Sequence, residues 1–177
     1  MKRSKRIFLR IFAVLAGLVV IYHIVWLINC LSYKKYVDRV GVDEFGNSSL
    51  IDEDGICYSA FYPNYLSFTG NLAICAVRPD DVKVGDQFVD MIIWPKPFSD
   101  SFKIGIMLET VTESNYNETT HESEVATDRA CFLLDEDTHF IDEPNQYELE
   151  QWETAQDAVA TYYEKANEVW GILGTVS

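Results

Sequence analysis

Positive charge is in short supply in this 177-residue chain: 14 Lys and Arg stand against 28 Asp and Glu, a formal net charge of −14. Five of those 14 (Lys2, Arg3, Lys5, Arg6 and Arg10) lie in the first ten positions and the first acid is Asp38, so everything after residue 10 carries −19. Phosphate binding needs a clustered cationic face that releases counterions, and with none in the body of the chain a nucleic-acid partner is excluded. Histidine is rarer still. With three in all, and no Cys-x-x-Cys or His-Glu-x-x-His, no ligand pair stands at metal-site spacing. The acidic runs Asp52 to Asp54 and Asp135 to Asp137 lack the alternating oxygens and central Gly of a calcium loop and read as solvated turns. His121, Glu122 and Glu124 sit in a polar stretch and read the same way. Gly-x-Ser-x-Gly, phosphate-binding Gly loops and the dinucleotide fingerprint are missing too, and no repeat of 20 to 50 residues is visible. No catalytic, cofactor-binding or metal residue is therefore assigned; nothing selects a catalytic carboxylate pair among 28 acids.

What the sequence does hold is one long apolar run. Residues 11–28 carry no charge, and the apolar character continues through Cys30, Leu31 and Tyr33. As a helix at about 1.5 Å per residue, residues 11–33 reach roughly 35 Å, enough for a hydrocarbon core of about 30 Å. The run is too long for a cleaved signal peptide and has no small-residue cleavage site, so it is expected to be a retained transmembrane helix. Trp26 and Tyr33 stand where interfacial aromatics belong, and Lys34 and Lys35 close that end. The amino-terminal flank has five basic residues against three (Lys34, Lys35, Arg39) on the other side, which puts residues 1–10 in the cytoplasm as a basic tail and the rest outside. A rival reading rests on Leu27-Ile28-Asn29-Cys30, a degenerate bacterial lipoprotein signal in which Cys30 is lipidated; Asn29 stands where that pattern wants Gly, Ala or Ser. His23 inside the run reads as a neutral imidazole that sits near the interface or bonds to a neighbouring carbonyl, and Gly17 has no small partner four positions away.

Residues 34–55 mix Gly, Asn, Ser and acids at low apolar density and are expected to form a stalk or linker. From Ile56 short aromatic and β-branched runs alternate with turn signals. Ile56 to Tyr62 and Leu72 to Val77 read as hairpin arms, Gln87 to Trp94 as a buried strand, and Phe102, Ile104, Ile106 and Leu108 as one face of a strand with a period of two. The polar stretch Thr110 to Glu124 is a long loop or a strand extension, and Val125 to Leu134 a further strand. The period then changes: Trp152, Ala155, Val159, Tyr162, Ala166, Val169 and Leu173 fall on one stripe of a helix that opens on an Asn145 to Glu148 capping box and ends at Gly171 and Gly174. The fold expected for residues 56–177 is α+β. A mostly antiparallel sheet of four to six strands is packed on one face by the carboxy-terminal amphipathic helix.

Cys57 and Cys75 sit on the two hairpin arms and are candidates for a disulfide, with Cys131 left over in an outside compartment that permits one. Small thiols in apolar runs are equally at home in a core. Asn47-Ser48-Ser49 and Asn117-Glu118-Thr119 fit the glycosylation sequon, which matters only in a eukaryote, whereas the amino terminus resembles a bacterial membrane anchor. Tyr58, Phe61, Tyr62, Tyr65 and Phe68 crowd around Pro63 and form a candidate interaction surface unless the sheet and helix bury them. An anchor joined to a small complete core without a catalytic motif predicts a membrane-displayed domain that works by non-covalent binding, its partners the lipid bilayer and an envelope or membrane protein. Two alternatives stay open: an envelope hydrolase using acidic residues, and a membrane-bound immunity or inhibitor protein whose acidic face neutralises a basic partner.

Overall fold

The computed structural model describes residues 2–44, 46–99, 101–117 and 122–172, with the backbone alone for 2–6, 115–117 and 122–125. It contains a long helix α1 (Lys2–Val40), six strands β1 (Ser49–Ile51), β2 (Ile56–Phe61), β3 (Asn71–Ala76), β4 (Gln87–Pro95), β5 (Phe102–Asn117) and β6 (Glu122–Leu134), and a second helix α2 (Gln146–Trp170). The strands form one antiparallel sheet in chain order, β1 to β6, so each pairs with its neighbour in sequence. This is the α+β architecture read from the alternation and the change of period.

Alternation decides the two faces. Along β5, Phe102, Ile104, Ile106 and Leu108 are buried while Lys103, Gly105 and Met107 turn the other way. The register carries that choice across the sheet, setting Ile106 beside Met91 and Phe132, and Ile74 beside Met91 and Tyr58. One face is therefore a continuous apolar floor of Tyr58, Leu72, Ile74, Met91, Ile93, Ile104, Ile106 and Leu134, each at most 2% exposed. At about 1.5–3 kcal/mol for each large side chain removed from water, this floor is the main favourable contribution to folding.

α2 covers it. Asn145 accepts the Glu148 amide at 3.0 Å and the Glu148 carboxylate takes the Asn145 amide at 2.8 Å, so the capping box forms as its spacing predicts. Ala155, Val159, Tyr162, Tyr163, Ala166 and Trp170 are buried, and Gly171 ends the helix in the left-handed region at φ 62°. Leu173 and Gly174 lie outside the described residues.

Two expectations need correction. The interval 34–55 is not an unstructured stalk: α1 runs through it to Val40, and Ser49–Ile51 adds an edge strand to the sheet. Tyr33, Tyr36, Val37 and Val40, spaced three and four apart, are buried against the sheet's core face and α2, so the sheet is packed by two helices rather than one. Low average apolar density hid this stripe, because only one face of the helix is needed for docking. Of the two readings open for the polar stretch Thr110 to Glu124, the strand extension holds: β5 runs to Asn117 and β6 opens at Glu122, with a bulge between Val111 and Glu113. Pro95 closes β4 as its last residue, where it donates no hydrogen bond.

Candidate functional site

Among the described residues, no helix lies over the opposite face of the sheet. Its rows follow from the register. Cys57, Cys75, Asp90, Met107 and Cys131 stand side by side across β2 to β6, and Ser59, Ala73, Ile92, Gly105 and Leu133 form the next row. Gly105 makes room here: a Cβ would come within 2.6 Å of the far end of the Trp94 ring. With no side chain at 105, the sheet surface dips, and a groove of about 500 Å³ opens over Ile92, Trp94, Met107, Cys131 and Leu133. It runs over β6 to the loop at Phe140 and Pro144. That loop returns alongside β6, with the Ile141 amide on the Leu133 carbonyl at 2.8 Å, and so closes the sheet edge. The groove is apolar inside, with Asp142, Glu143 and Glu148 at its rim. A volume of this size suits a small ligand or one or two side chains of a partner.

Beside the groove lies a charged group. Glu109 on β5 is 1% exposed, and Arg129, directly opposite on β6, donates its Nε to one carboxylate oxygen. Arg78 meets the other oxygen at 2.5 Å, reaches Asp90 at 3.4 Å and lies over the Phe88 ring at 4.8 Å. The buried Glu109 carboxylate is thus paired with two guanidinium groups, one on each oxygen. Burial pushes the Asp90 carboxyl above its usual range, and Arg78 opposes that shift. The Cys75 thiol is pushed up to about 11 by burial, with Cys57 and Asp90 adding to it, so at neutral pH it is a protonated, weak nucleophile. The arrangement is suited to holding an apolar group flanked by positive charge, with its own acids at the rim and its own cations tied to Glu109 and Asp90.

No family model, curated protein or solved structure matches the chain.

The residues singled out in the sequence do not gather in this groove. Cys57 and Cys75 are directly opposite across β2 and β3 as free thiols, on the open face and not in the core. The Val77 amide bonds the Gly55 carbonyl at 2.8 Å in the same register, which makes Cys57 and Cys75 a hydrogen-bonded pair with Cα atoms about 5.5 Å apart, within the span of a disulfide. The aromatic cluster splits. Tyr58 is a core residue, 2% exposed, its hydroxyl donating to Asp52 at 2.8 Å, and it belongs to no surface. Phe61, Tyr62, Tyr65 and Phe68 accompany the β2–β3 connection, which leans on α1: the Tyr22 ring packs edge-on against Tyr65 and Phe68, and Trp26 against Tyr65. His23 donates its Nδ1 proton to the Val19 carbonyl at 2.7 Å, so its Nε2 accepts from the Tyr65 hydroxyl at 2.8 Å. Cys30 is half-buried on α1 next to Asn29, which is wholly buried.

The Asp135, Asp137 and His139 ligand atoms lie within 4.8 Å of one another, but an Asp135 oxygen already accepts the Asp137 and His139 amides at 3.0 and 2.9 Å, the work of a turn. His121 lies outside the described residues. Sequence reasoning missed the groove and the Glu109 group. The one local sign was Gly105 inside a strictly alternating strand, where a glycine marks close approach of another group.

Proposed function

We propose that this chain is a single-pass membrane protein, α1 spanning a bacterial cell membrane with its amino terminus in the cytoplasm and its α+β domain outside, and that the domain works by non-covalent binding on its open sheet face. The partner is an envelope or membrane component that presents an apolar group flanked by positive charge. The groove over Gly105 with its acidic rim carries this reading; the −19 charge of everything after residue 10 favours the same partner chemistry. For the anchor, the support is an apolar helix long enough to cross a membrane, with Ile7 to Ile21 exposed around its circumference. The helix is retained in this reading, since cleavage before Cys30 would remove Tyr22, Trp26 and Asn29 from their contacts with the domain.

The test uses the full chain in zwitterionic nanodiscs and two fragments, 4-phenylbutylammonium and 4-phenylbutyrate, followed by ligand-observed NMR with empty nanodiscs subtracted. The ammonium is expected to bind saturably and the carboxylate several-fold more weakly, and Met107→Arg should abolish the ammonium signal. Equal binding of both fragments, or binding indifferent to Met107→Arg, would overturn the binding reading. An intact mass beginning at a lipidated Cys30 would overturn the retained anchor.

A further inference from the structure

From Ile56 to Val77 the chain has 22 consecutive residues without a charge, in a sequence of which 24% is charged. The strands β2 and β3 account for its two ends. Its middle, Tyr62 to Gly70, is a compact loop in which the Phe68 amide bonds the Asn64 carbonyl at 2.9 Å and the Asn64 amide the Thr69 carbonyl at 3.0 Å. At its tip Leu66 is 84% exposed, with no protein group covering it.

This loop lies along α1 at the level of the apolar run. Three of its carbonyl oxygens are taken by side chains of that helix: Pro63 by Trp26 Nε1 at 3.2 Å, Tyr65 by the Tyr22 hydroxyl at 2.5 Å, and Phe68 by Asn29 Nδ2 at 2.6 Å; the Tyr33 hydroxyl, whose one proton goes to the Pro95 carbonyl at 2.8 Å, lies 3.3 Å from the Gly70 carbonyl. The Leu66 amide is satisfied by the Asn64 side chain at 2.8 Å. In water such pairing contributes little, because solvent would satisfy the same groups. In hydrocarbon each unpaired carbonyl costs several kcal/mol, and irregular backbone enters a membrane only where protein satisfies it. Phe68 even adopts φ 58°, unfavourable for a residue with a Cβ, while Asn29 holds its carbonyl.

Depth follows from the helix rise. No charged residue lies between Arg10 and Lys34, a stretch of roughly 35 Å at about 1.5 Å per residue. Tyr22 stands about 18 Å beyond Arg10 by the same measure, well inside a hydrocarbon core of about 30 Å that begins there. At the levels of the loop contacts the far side of α1 exposes Ile24, Leu27, Ile28 and Leu31, so apolar side chains are exposed there as Leu66 is on the loop.

We propose that the loop Tyr62 to Gly70 is seated in the outer leaflet of the bilayer spanned by α1, with Tyr65 and Leu66 at the level of the acyl chains and Tyr62 toward the interface. The proposal rests on α1 being a membrane span. The domain then meets lipid twice, through the span and through a re-entrant tip pinned to it.

The test places an environment-sensitive fluorophore on a single cysteine, in a background with the four native cysteines replaced by Ser, at Leu66→Cys, Val84→Cys or Leu18→Cys. Leu66 and Val84 are surface residues and tolerate the label. The full chain is reconstituted in phosphatidylcholine vesicles and quenched by aqueous iodide or by lipids with nitroxides on their acyl chains. The label at 66 is expected to be quenched by the nitroxides and about tenfold less by iodide than the label at 84, as buried apolar sites are. If the label at 66 meets iodide as freely as that at 84 while the label at 18 is shielded, the loop proposal fails and the anchor stands. If the label at 18 is also open to iodide, the anchor reading fails and the loop proposal with it.

Discussion

The two faces of one sheet are built from the same strands and differ in what they are for. On the core face neighbours in register are Tyr58, Ile74, Met91, Ile106 and Phe132; on the open face the adjacent row is Cys57, Cys75, Asp90, Met107 and Cys131. The first row is sealed by α1 and α2, while the second is left to solvent and to whatever binds it. Stability is thus concentrated on one side, and the other is free to hold a glycine, a groove and a buried ion pair that a packed interior would not favour.

That division can be broken in graded ways, each followed by thermal or denaturant unfolding of the full chain in nanodiscs. Ile93→Ala on the core face should cost about 2–5 kcal/mol, whereas Ile92→Ala beside it, half-buried on the open face, should cost about 1 kcal/mol or less. Comparable losses would erase the distinction. Next, removing both Arg78 and Arg129 (to Ala) strands Glu109 at 1% exposure and should cost about 3 kcal/mol, while Glu109→Gln, which releases two partly exposed guanidinium groups to water, should cost clearly less. The reverse order would mean that the arginines, not the carboxylate, are the dependent partners. Gly105→Ala should displace the Trp94 ring and close part of the groove, losing the 4-phenylbutylammonium signal with an unfolding shift of about 1 kcal/mol.

A smaller effect is expected with pH. The Ile56 amide, followed by the Tyr58 hydroxyl and Lys165, brings the Asp52 carboxyl down from 3.8 to about 2. A carboxyl with a depressed folded pKa adds stability above its unfolded value, and that contribution disappears as pH falls from about 4 to about 2. Asp52→Asn should flatten the unfolding curve in that window while leaving the neutral region nearly level, and an unchanged slope would remove Asp52 from the acid response. The smallest perturbation is oxidation: in a compartment that forms disulfides, Cys57 and Cys75 are expected to pair by virtue of their register, and peptide mapping should find that bridge with Cys131 still free. A bridge between Cys131 and either of them would contradict the sheet order.

Local chemistry was legible before the fold was known. The Asn145 to Glu148 box, the alternation from Phe102 to Leu108 and the stripe from Ala155 to Ala166 each specify an element by itself, since capping, pleat and helical period are written within a few residues. Pairings between distant segments are not written that way. Nothing near Glu109 names Arg129 or Arg78 as its partners, because their meeting depends on the β3–β4–β5–β6 register. Tyr33, Tyr36, Val37 and Val40 were hidden because a helix whose apolar residues are exposed on one stretch and buried in a core on the next has no single composition. The absence of charge from Ile56 to Val77 was open to view, yet its meaning came only from α1 standing beside Tyr65 and Phe68.

Arg39 donates to the Val169 carbonyl at 3.0 Å, and Tyr33 to the Pro95 carbonyl at 2.8 Å, so the end of α1 is fastened both to the second helix and to the sheet. A domain attached in this way has no swivel and no tether length. With α1 in a membrane, the open sheet face keeps one heading relative to the helix axis and stays within a domain's width of the surface. Encounters with a partner are then lateral, a search in two dimensions among neighbours of the same membrane, and any tilt imposed on the helix is passed undiminished to the groove.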